Sequence, residues 1–164
     1  MNTFELLEIA CAIVPDRTAF VAGKNGEIKP DFAAFRDRTS RLASVLAGMG
    51  VGPGDRVALM DVNTPAHAET YFASAMLDAI YVPVNFRSRT AEANYMMERT
   101  SPTVVLAGGR YMDLIDSCDS LEKGDVTRVS LDPDNSAARW VSYEDSVNSA
   151  KPYMGYPTGD EDDT

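Results

Sequence analysis

Two arginines that follow a short apolar run are the residues best placed to bind an anionic ligand. Arg87 and Arg89 come shortly after the run at 81–84. In open parallel sheets ligands gather beyond the carboxyl ends of strands, and a guanidinium group binds phosphate oxygens through paired hydrogen bonds. Two solvated arginines beside a helix start would show the same spacing. The pattern alone therefore leaves a phosphate site and an ordinary solvated surface both open.

A glycine cluster at 48–54 has the composition of a phosphate-binding loop but the wrong position for one. Pro53 stands where the last glycine of a dinucleotide fingerprint belongs. Such a loop follows a strand and opens a helix, whereas these glycines follow a predicted helix and precede a predicted strand. The cluster therefore predicts the end of a helix.

The residue types give little support for a metal site or a catalytic nucleophile. His67 is the only histidine, and Cys11 and Cys118 lie far from it in the sequence. A zinc site uses three or four His, Cys or carboxylate ligands, so we predict no metal site. The serines stand in no nucleophile-elbow motif, and we assign no catalytic residue. Two isolated thiols indicate a reduced, cytoplasmic protein.

Short apolar runs alternate with helical patterns through the middle of the chain. The predicted strands are 56–60, 81–84, 103–107 and 126–131, and the predicted helices between them are 65–77, 90–99 and 111–118. Strands joined by helical crossovers are parallel. The sequence therefore predicts an α/β fold, with a mainly parallel sheet and helices on both faces.

The flanking segments complete this prediction. Asn2 and Glu5 form a capping box for a first helix, and Asp31 caps a second helix that buries one apolar face and turns Arg36, Asp37, Arg38 and Arg41 outwards. Segments 19–22 and 27–28 predict a small peripheral hairpin. An edge strand at 140–141 and a helix at 143–149 follow. We expect one domain over residues 1–158 and an acidic linker over 159–164.

Composition excludes several classes of partner. The 164 residues carry 15 Lys and Arg against 25 Asp and Glu, a net charge of −10. Such a charge repels nucleic acid and anionic membrane surfaces. No run approaches the roughly 20 apolar residues of a membrane span, and the first residues lack the pattern of a signal peptide.

Several stretches together resemble the amino-terminal part of the adenylate-forming superfamily, which includes acyl-CoA synthetases. They are 32–36, 41–46, the glycine-rich strand entry 50–60, Asn63-Thr-Pro65, 79–87 and the acidic end 159–164. The segment 79–87 is most similar to the acyl-CoA ligase branch. Asp78 departs from the family, which usually has glycine there, and Asp tolerates the left-handed conformation this implies.

The resemblance implies a ligase that uses ATP and Mg²⁺ to activate a carboxylic acid as an acyl-adenylate, and then transfers the acyl group to CoA. It implies a long- or medium-chain acyl-CoA synthetase type, and it places Arg87 near the CoA phosphates. The phosphate loop and the catalytic lysine of the family have no counterpart in these residues. No acyl substrate follows from this part of such an enzyme.

We therefore expect an amino-terminal fragment of an acyl-CoA synthetase that ends before the ATP phosphate loop. Alone it should be inactive and hold no cofactor. We also expect self-association into a homo-oligomer through exposed apolar surface. The alternative is a stand-alone, non-catalytic binding module built on the same fold.

Overall fold

A parallel sheet forms the centre of the molecule. The computed structural model describes residues 2–122, 125–134 and 137–158. Within this part of the chain the sheet has five strands in the order β2-β1-β3-β4-β5, all parallel. They are β1 Arg56–Met60, β2 Ile80–Pro83, β3 Val104–Ala107, β4 Thr127–Ser130 and β5 Val141–Ser142. The prediction of a parallel α/β fold is confirmed.

The two central strands are apolar on both faces. Every residue of β3 is buried, and Val57 to Met60 of β1 are fully inaccessible to solvent. In register, Val57 pairs with Val104 and Leu59 with Leu106. A strand buried on both faces reads as a continuous apolar run, which is why these strands are visible in the sequence.

Helices cover both faces of the sheet. One face packs against α1 Thr3–Ile13, α2 Phe32–Gly48, α3 Pro65–Met76 and α7 Tyr143–Ser149. The other packs against α4 Thr90–Thr100, α5 Met112–Asp116 and α6 Asp119–Glu122. Two apolar cores result, one on each side of the sheet.

The predicted helix caps are confirmed. The Asn2 side chain accepts a hydrogen bond from the Phe4 amide at 2.9 Å, and the Asn2 amide donates to Glu5 Oε2 at 2.8 Å. Asp31 Oδ1 accepts from the Ala34 amide at 2.7 Å. Each cap satisfies amide hydrogens that a helix start leaves without an intrahelical partner.

The glycine cluster ends α2, as predicted. The amide of Gly50 donates to the Ala47 carbonyl, and that of Val51 donates to the Leu46 carbonyl, both at 3.0 Å. This hydrogen-bond pair is the Schellman stop, and it requires a left-handed residue, here Gly50 with a φ of 89°. The chain then enters β1, so the glycines end a helix and do not open one.

Departures from the predicted elements are local. Antiparallel bridges join Thr18 to Asp31 and Ala22 to Ile28, which confirms a small hairpin outside the sheet. The helix predicted at 111–118 is instead a 3₁₀ turn at Gly109–Tyr111 followed by α5, and α6 was not predicted. The Ser117 hydroxyl donates to the Leu114 carbonyl at 2.7 Å. Such a side-chain hydrogen bond competes with the backbone hydrogen bonds of the helix.

The proposed division into domain and linker stays a prediction, because the acidic linker 159–164 lies outside the described residues. Among the helices of the described segments, none has both the length and the apolar character needed to cross a membrane.

Candidate functional site

The carboxyl edge of the sheet contains a topological switch point. From β1 the chain passes to β2 on one side, and from β2 it crosses to β3 on the other side of β1. In open α/β sheets ligands bind in the crevice outside the strand ends where the order reverses. The segments that follow β1, β2 and β3 are therefore the candidate site.

Two carboxylates occupy the edge next to the switch point. The Asp61 side chain lies so close to Gly108 that a Cβ atom there would collide with it, and Asp132 stands in the same relation to Gly109. Glycine after β3 therefore lets acidic groups pack on its backbone. We did not identify this feature from the sequence, where the only signal is two glycines directly after a strand. The negative charge of these two carboxylates disfavours the binding of a phosphate group between β1 and β3.

The arginines lie at the end of β2, one strand away. Arg87 and Arg89 are both exposed, on the segment between Pro83 and the start of α4. Asn85 shapes this segment: its side chain accepts from the Arg87 amide at 3.0 Å, and its carbonyl accepts from the Ser88 amide at 2.9 Å. The Arg87 guanidinium lies 5.2 Å from the Phe86 ring centroid.

Neither arginine forms an ion pair within the described residues. The pairs found there belong to other arginines, namely Arg36, Arg38, Arg41, Arg128 and Arg139. A guanidinium group without a carboxylate partner keeps its full charge and its donors for a ligand. The structure thus places the sequence-predicted residues as available cations at a strand end.

A groove of about 540 Å³ lies against the segment that carries these arginines, although neither arginine lines it. Its lining residues are Pro83, Asn85, Ser88, Ala91, Glu92, Tyr95 and Met96. The groove meets the amino end of α4, where the helix dipole favours anions. Glu92 is the acidic lining residue, and its carboxylate accepts from the Arg89 amide at 2.8 Å, which engages it in the helix start. The groove combines an apolar wall with the amino end of α4, and Ser88, which lies between the two arginines in the sequence, is one of its lining residues.

A second cavity, of about 610 Å³, lies at the opposite edge of the sheet. It precedes β3 and β4, and its lining includes the carboxylates Glu98, Asp119 and Asp125 but, among the described residues, no arginine or lysine. This cavity is the larger of the two, yet its charge repels phosphate groups. The groove at the end of β2 is therefore the better anion site.

His67 links β1 to β2 through both ring nitrogens. Its Nε2 lies 3.2 Å from the Asp61 carbonyl, which can only accept, so Nε2 carries the hydrogen. In the tautomer with the hydrogen on Nε2, Nδ1 accepts from the Tyr81 hydroxyl at 2.5 Å. Burial raises the pKa of Tyr81 to about 12, so this donor stays protonated at neutral pH. His67 thus fixes the end of β1.

The two thiols are held by backbone carbonyls on opposite sides of the molecule. Cys11 Sγ donates to the Phe32 carbonyl at 3.2 Å, and Cys118 Sγ donates to the Leu114 carbonyl at 3.5 Å. Burial and nearby carboxylates raise the pKa of both thiols. Both side chains are free thiols in packed surroundings that disfavour the reactive thiolate.

Arg38 is not an outward-facing residue, contrary to the sequence prediction. Its Nε lies 2.8 Å from Oε1 of Glu69 on α3, and its Nη2 lies 3.0 Å from Oε1 of Glu144 on α7. The Tyr143 hydroxyl donates to the Glu69 carboxylate, and Glu69 is only 3% exposed. These four side chains, here called the α2–α3–α7 network, join three helices. Partners so distant in sequence leave no local signal on α2.

Known proteins similar to this chain are CoA ligases. A 3-oxocholest-4-en-26-oate–CoA ligase of Rhodococcus rhodochrous is 28% identical over an alignment of 167 positions, which covers 99% of this chain and 30% of that protein. An indoleacetate–CoA ligase of Aromatoleum aromaticum is 30% identical over 145 residues, 88% of this chain and 27% of the relative. This chain thus spans about 30% of the length of the curated relatives it matches.

Solved structures share the fold. An anthranilate CoA ligase, AuaEII, in complex with anthranoyl-AMP superposes with a TM-score of 0.87 at 18% identity, covering 99% of this chain and 30% of that one. A benzoate CoA ligase from Burkholderia xenovorans LB400 gives 0.82 at 19% identity, with 98% and 31% coverage. At these identities the likeness concerns the fold.

The match to a protein family extends over nearly the whole chain. The family model described as AMP-binding enzyme matches residues 7–164. This range contains the five strands of the sheet, the carboxylates of Asp61 and Asp132 and the groove at the end of β2. The chain therefore belongs to the AMP-binding enzyme family.

Proposed function

We propose that this chain is the amino-terminal part of an acid–thiol ligase, which joins a carboxylic acid to CoA through an acyl-adenylate. The proposal is supported by membership of the AMP-binding family and by relatives named as CoA ligases for steroid, aromatic and fatty acids. Because the named acids differ so widely, they favour no single acyl substrate. The long- or medium-chain type stays a prediction.

Within this enzyme the groove at the end of β2 binds the phosphates of CoA, with Arg87 as the principal contact. The observation that carries this role is a pair of exposed arginines, without ion-pair partners in the described residues, on a segment that lines a groove at a strand end. Guanidinium forks match phosphate oxygens, and the amino end of α4 adds a favourable dipole.

CoA supplies the thiol that receives the acyl group, while the residues of this chain bind and orient the cofactor. Arg87 and Arg89 neutralise phosphate charge. The apolar groove wall, including Tyr95 with 60% of its surface exposed, offers a contact for an uncharged part of the molecule. ATP and Mg²⁺ belong to the proposed longer enzyme, and we assign them no residue of this chain.

The Arg87 role is tested by Arg87→Ala in the proposed longer ligase. We expect the KM for CoA to rise by about tenfold to a hundredfold, the value of a lost charge-assisted hydrogen bond. Adenylate formation precedes CoA use, so acid-dependent ATP–pyrophosphate exchange should stay unchanged. Arg87→Lys keeps the positive charge but loses the paired donors of the guanidinium group. Its KM for CoA should lie between those of the parent enzyme and Arg87→Ala.

Arg99→Ala is the matched control, because Arg99 is an exposed arginine at the opposite, carboxyl end of α4. Its KM for CoA should equal that of the parent enzyme. An unchanged KM for CoA in both Arg87→Ala and the Arg87→Ala/Arg89→Ala double variant would show that phosphate binds elsewhere.

Self-association, like the cytoplasmic location, stays a prediction. The outer face of α1 presents the exposed apolar side chains Leu6, Ile9 and Ile13. They recur at helical spacing, opposite the buried Phe4 and Leu7. This stripe is the apolar surface through which a second copy would pack.

A further inference from the structure

Asp78 is held in the left-handed backbone region, with a φ of 53°. Its amide donates to the Ala75 carbonyl at 3.3 Å, and the Ala79 amide donates to the Ser74 carbonyl at 2.9 Å. These two bonds form a Schellman stop at the end of α3, equivalent to the one that ends α2 at Gly50. Glycine adopts this conformation without a Cβ penalty, whereas Asp78 does so at a cost.

The Asp78 carboxylate binds two segments from opposite ends of the described chain. Asn2 Nδ2 donates to Oδ1 at 3.2 Å. The Thr158 amide donates to Oδ2 at 2.7 Å, and the Thr158 hydroxyl donates to the same oxygen at 3.3 Å. The Asp78 carbonyl also accepts from the Gly54 amide at 2.8 Å, beside the entry to β1. One residue thus contacts three parts of the chain.

Asn2 connects the Asp78 carboxylate to the start of helix α1. Its side-chain oxygen caps α1, while its Nδ2 group donates to both Asp78 and the Ala75 carbonyl, the latter at 3.0 Å. The amide side chain therefore joins the amino end of α1 to the carboxyl end of α3. When the Asp78 carboxylate is removed, Asn2 Nδ2 still donates to the Ala75 carbonyl. The Asn2 side-chain oxygen still caps α1.

The segment 150–158, here called the strap, depends more heavily on Asp78. It has no helix or strand, and it contacts α2, α1 and the end of α3 on one sheet face. Arg41 Nη1 donates to the Ala150 carbonyl at 2.6 Å, and the Tyr153 amide donates to the Ser40 carbonyl at 2.9 Å. Farther along, the Tyr156 ring packs edge-on against Phe4 with centroids 6.0 Å apart. Thr158 then ends the strap at Asp78.

We propose that Asp78 is a clasp whose carboxylate fixes the end of the strap, and that it thereby sets the point from which the chain leaves Thr158. Glycine would serve the backbone conformation better but would supply no carboxylate. The side chain therefore accounts for a strained residue at a position that glycine suits. This inference does not depend on the proposed CoA site.

Asp78→Gly tests the clasp in the 164-residue chain by amide hydrogen exchange. We expect the Thr158 amide to exchange about tenfold faster or more, because it loses its acceptor. Relief of backbone strain should keep Tm at or above that of the parent chain, with Ala79 and Leu106 amides as protected as before. Asp78→Asn, which tolerates the left-handed region and retains one acceptor, should fall between the two.

Ser101→Gly is the matched control, because Ser101 is the other non-glycine residue with positive φ in the described chain, at 44°. It relieves strain at the end of α4 and should leave Thr158 exchange unchanged. The clasp is overturned if Thr158 exchange is unchanged in Asp78→Gly. It is equally overturned if Asp78→Gly accelerates Thr158 and Leu106 exchange to the same degree, since Asp78 would then support the whole fold.

Discussion

Replacing Glu69 with alanine is expected to lower the free energy of unfolding by about 2–4 kcal/mol. Glu69 is almost completely buried and accepts from both Arg38 and Tyr143. Its removal leaves the Tyr143 hydroxyl without an acceptor and takes one of two carboxylates from the Arg38 guanidinium. Burial, with the Glu69 carboxylate beside it, raises the pKa of Tyr143 well above its usual value, so this hydroxyl is a donor that requires a partner.

Urea unfolding followed by circular dichroism measures this loss, with an unchanged m value showing that the same structure unfolds. Glu69→Gln should lose less, because its side-chain carbonyl still accepts one hydrogen bond. Asp37→Ala is the control: it breaks the Arg41–Asp37 pair on α2, where Asp37 is 49% exposed, and should change stability by less than about 0.5 kcal/mol. If Glu69→Ala were as stable as this control, the α2–α3–α7 network would make no measurable contribution to the free energy of unfolding.

Leu106→Ala should cost about 3 kcal/mol or more. Leu106 lies in the middle of β3, fully buried, between Leu59 of β1 and Val129 of β4. Removing three carbons there leaves a cavity that neighbouring strands cannot close without breaking their register. Since domains are stable by only about 5–15 kcal/mol, this single change removes a large fraction of the total.

The contrasting substitution is Ile80→Ala at the start of the edge strand β2, where the parent residue is 39% exposed. It should cost about 1 kcal/mol or less, because little buried surface is lost. Equal losses for Leu106→Ala and Ile80→Ala in the same urea experiment would contradict the placement of β3 at the centre of the sheet.

Local chemistry made the fold predictable. Asn2 and Asp31 cap helices by bonds to residues two or three positions away, and the apolar runs of β1 and β3 reflect burial on both faces. Gly50 marks a helix stop because the left-handed conformation favours its type. Each of these signals lies within one element, so sequence spacing is enough to read it.

Contacts between distant segments were beyond reach from the sequence. Arg38 meets Glu69 and Glu144, which lie 31 and 106 positions away, so its helical spacing alone predicted a solvated arginine. The carboxylate of Asp61 reaches Gly108 only because β1 and β3 are neighbours in the sheet. Arg87 was identified because it directly follows a strand, although the groove beside it depends on α4.

We propose that these residues build one wall of a CoA ligase, and that activation of the acid needs polypeptide beyond this part of the fold. Acid-dependent ATP–pyrophosphate exchange tests it most directly, with the 164-residue chain and the proposed longer protein assayed against the same panel of carboxylic acids. We expect exchange from the longer protein with at least one acid and none from the chain alone. Acid-dependent exchange by the 164-residue chain itself would contradict the account.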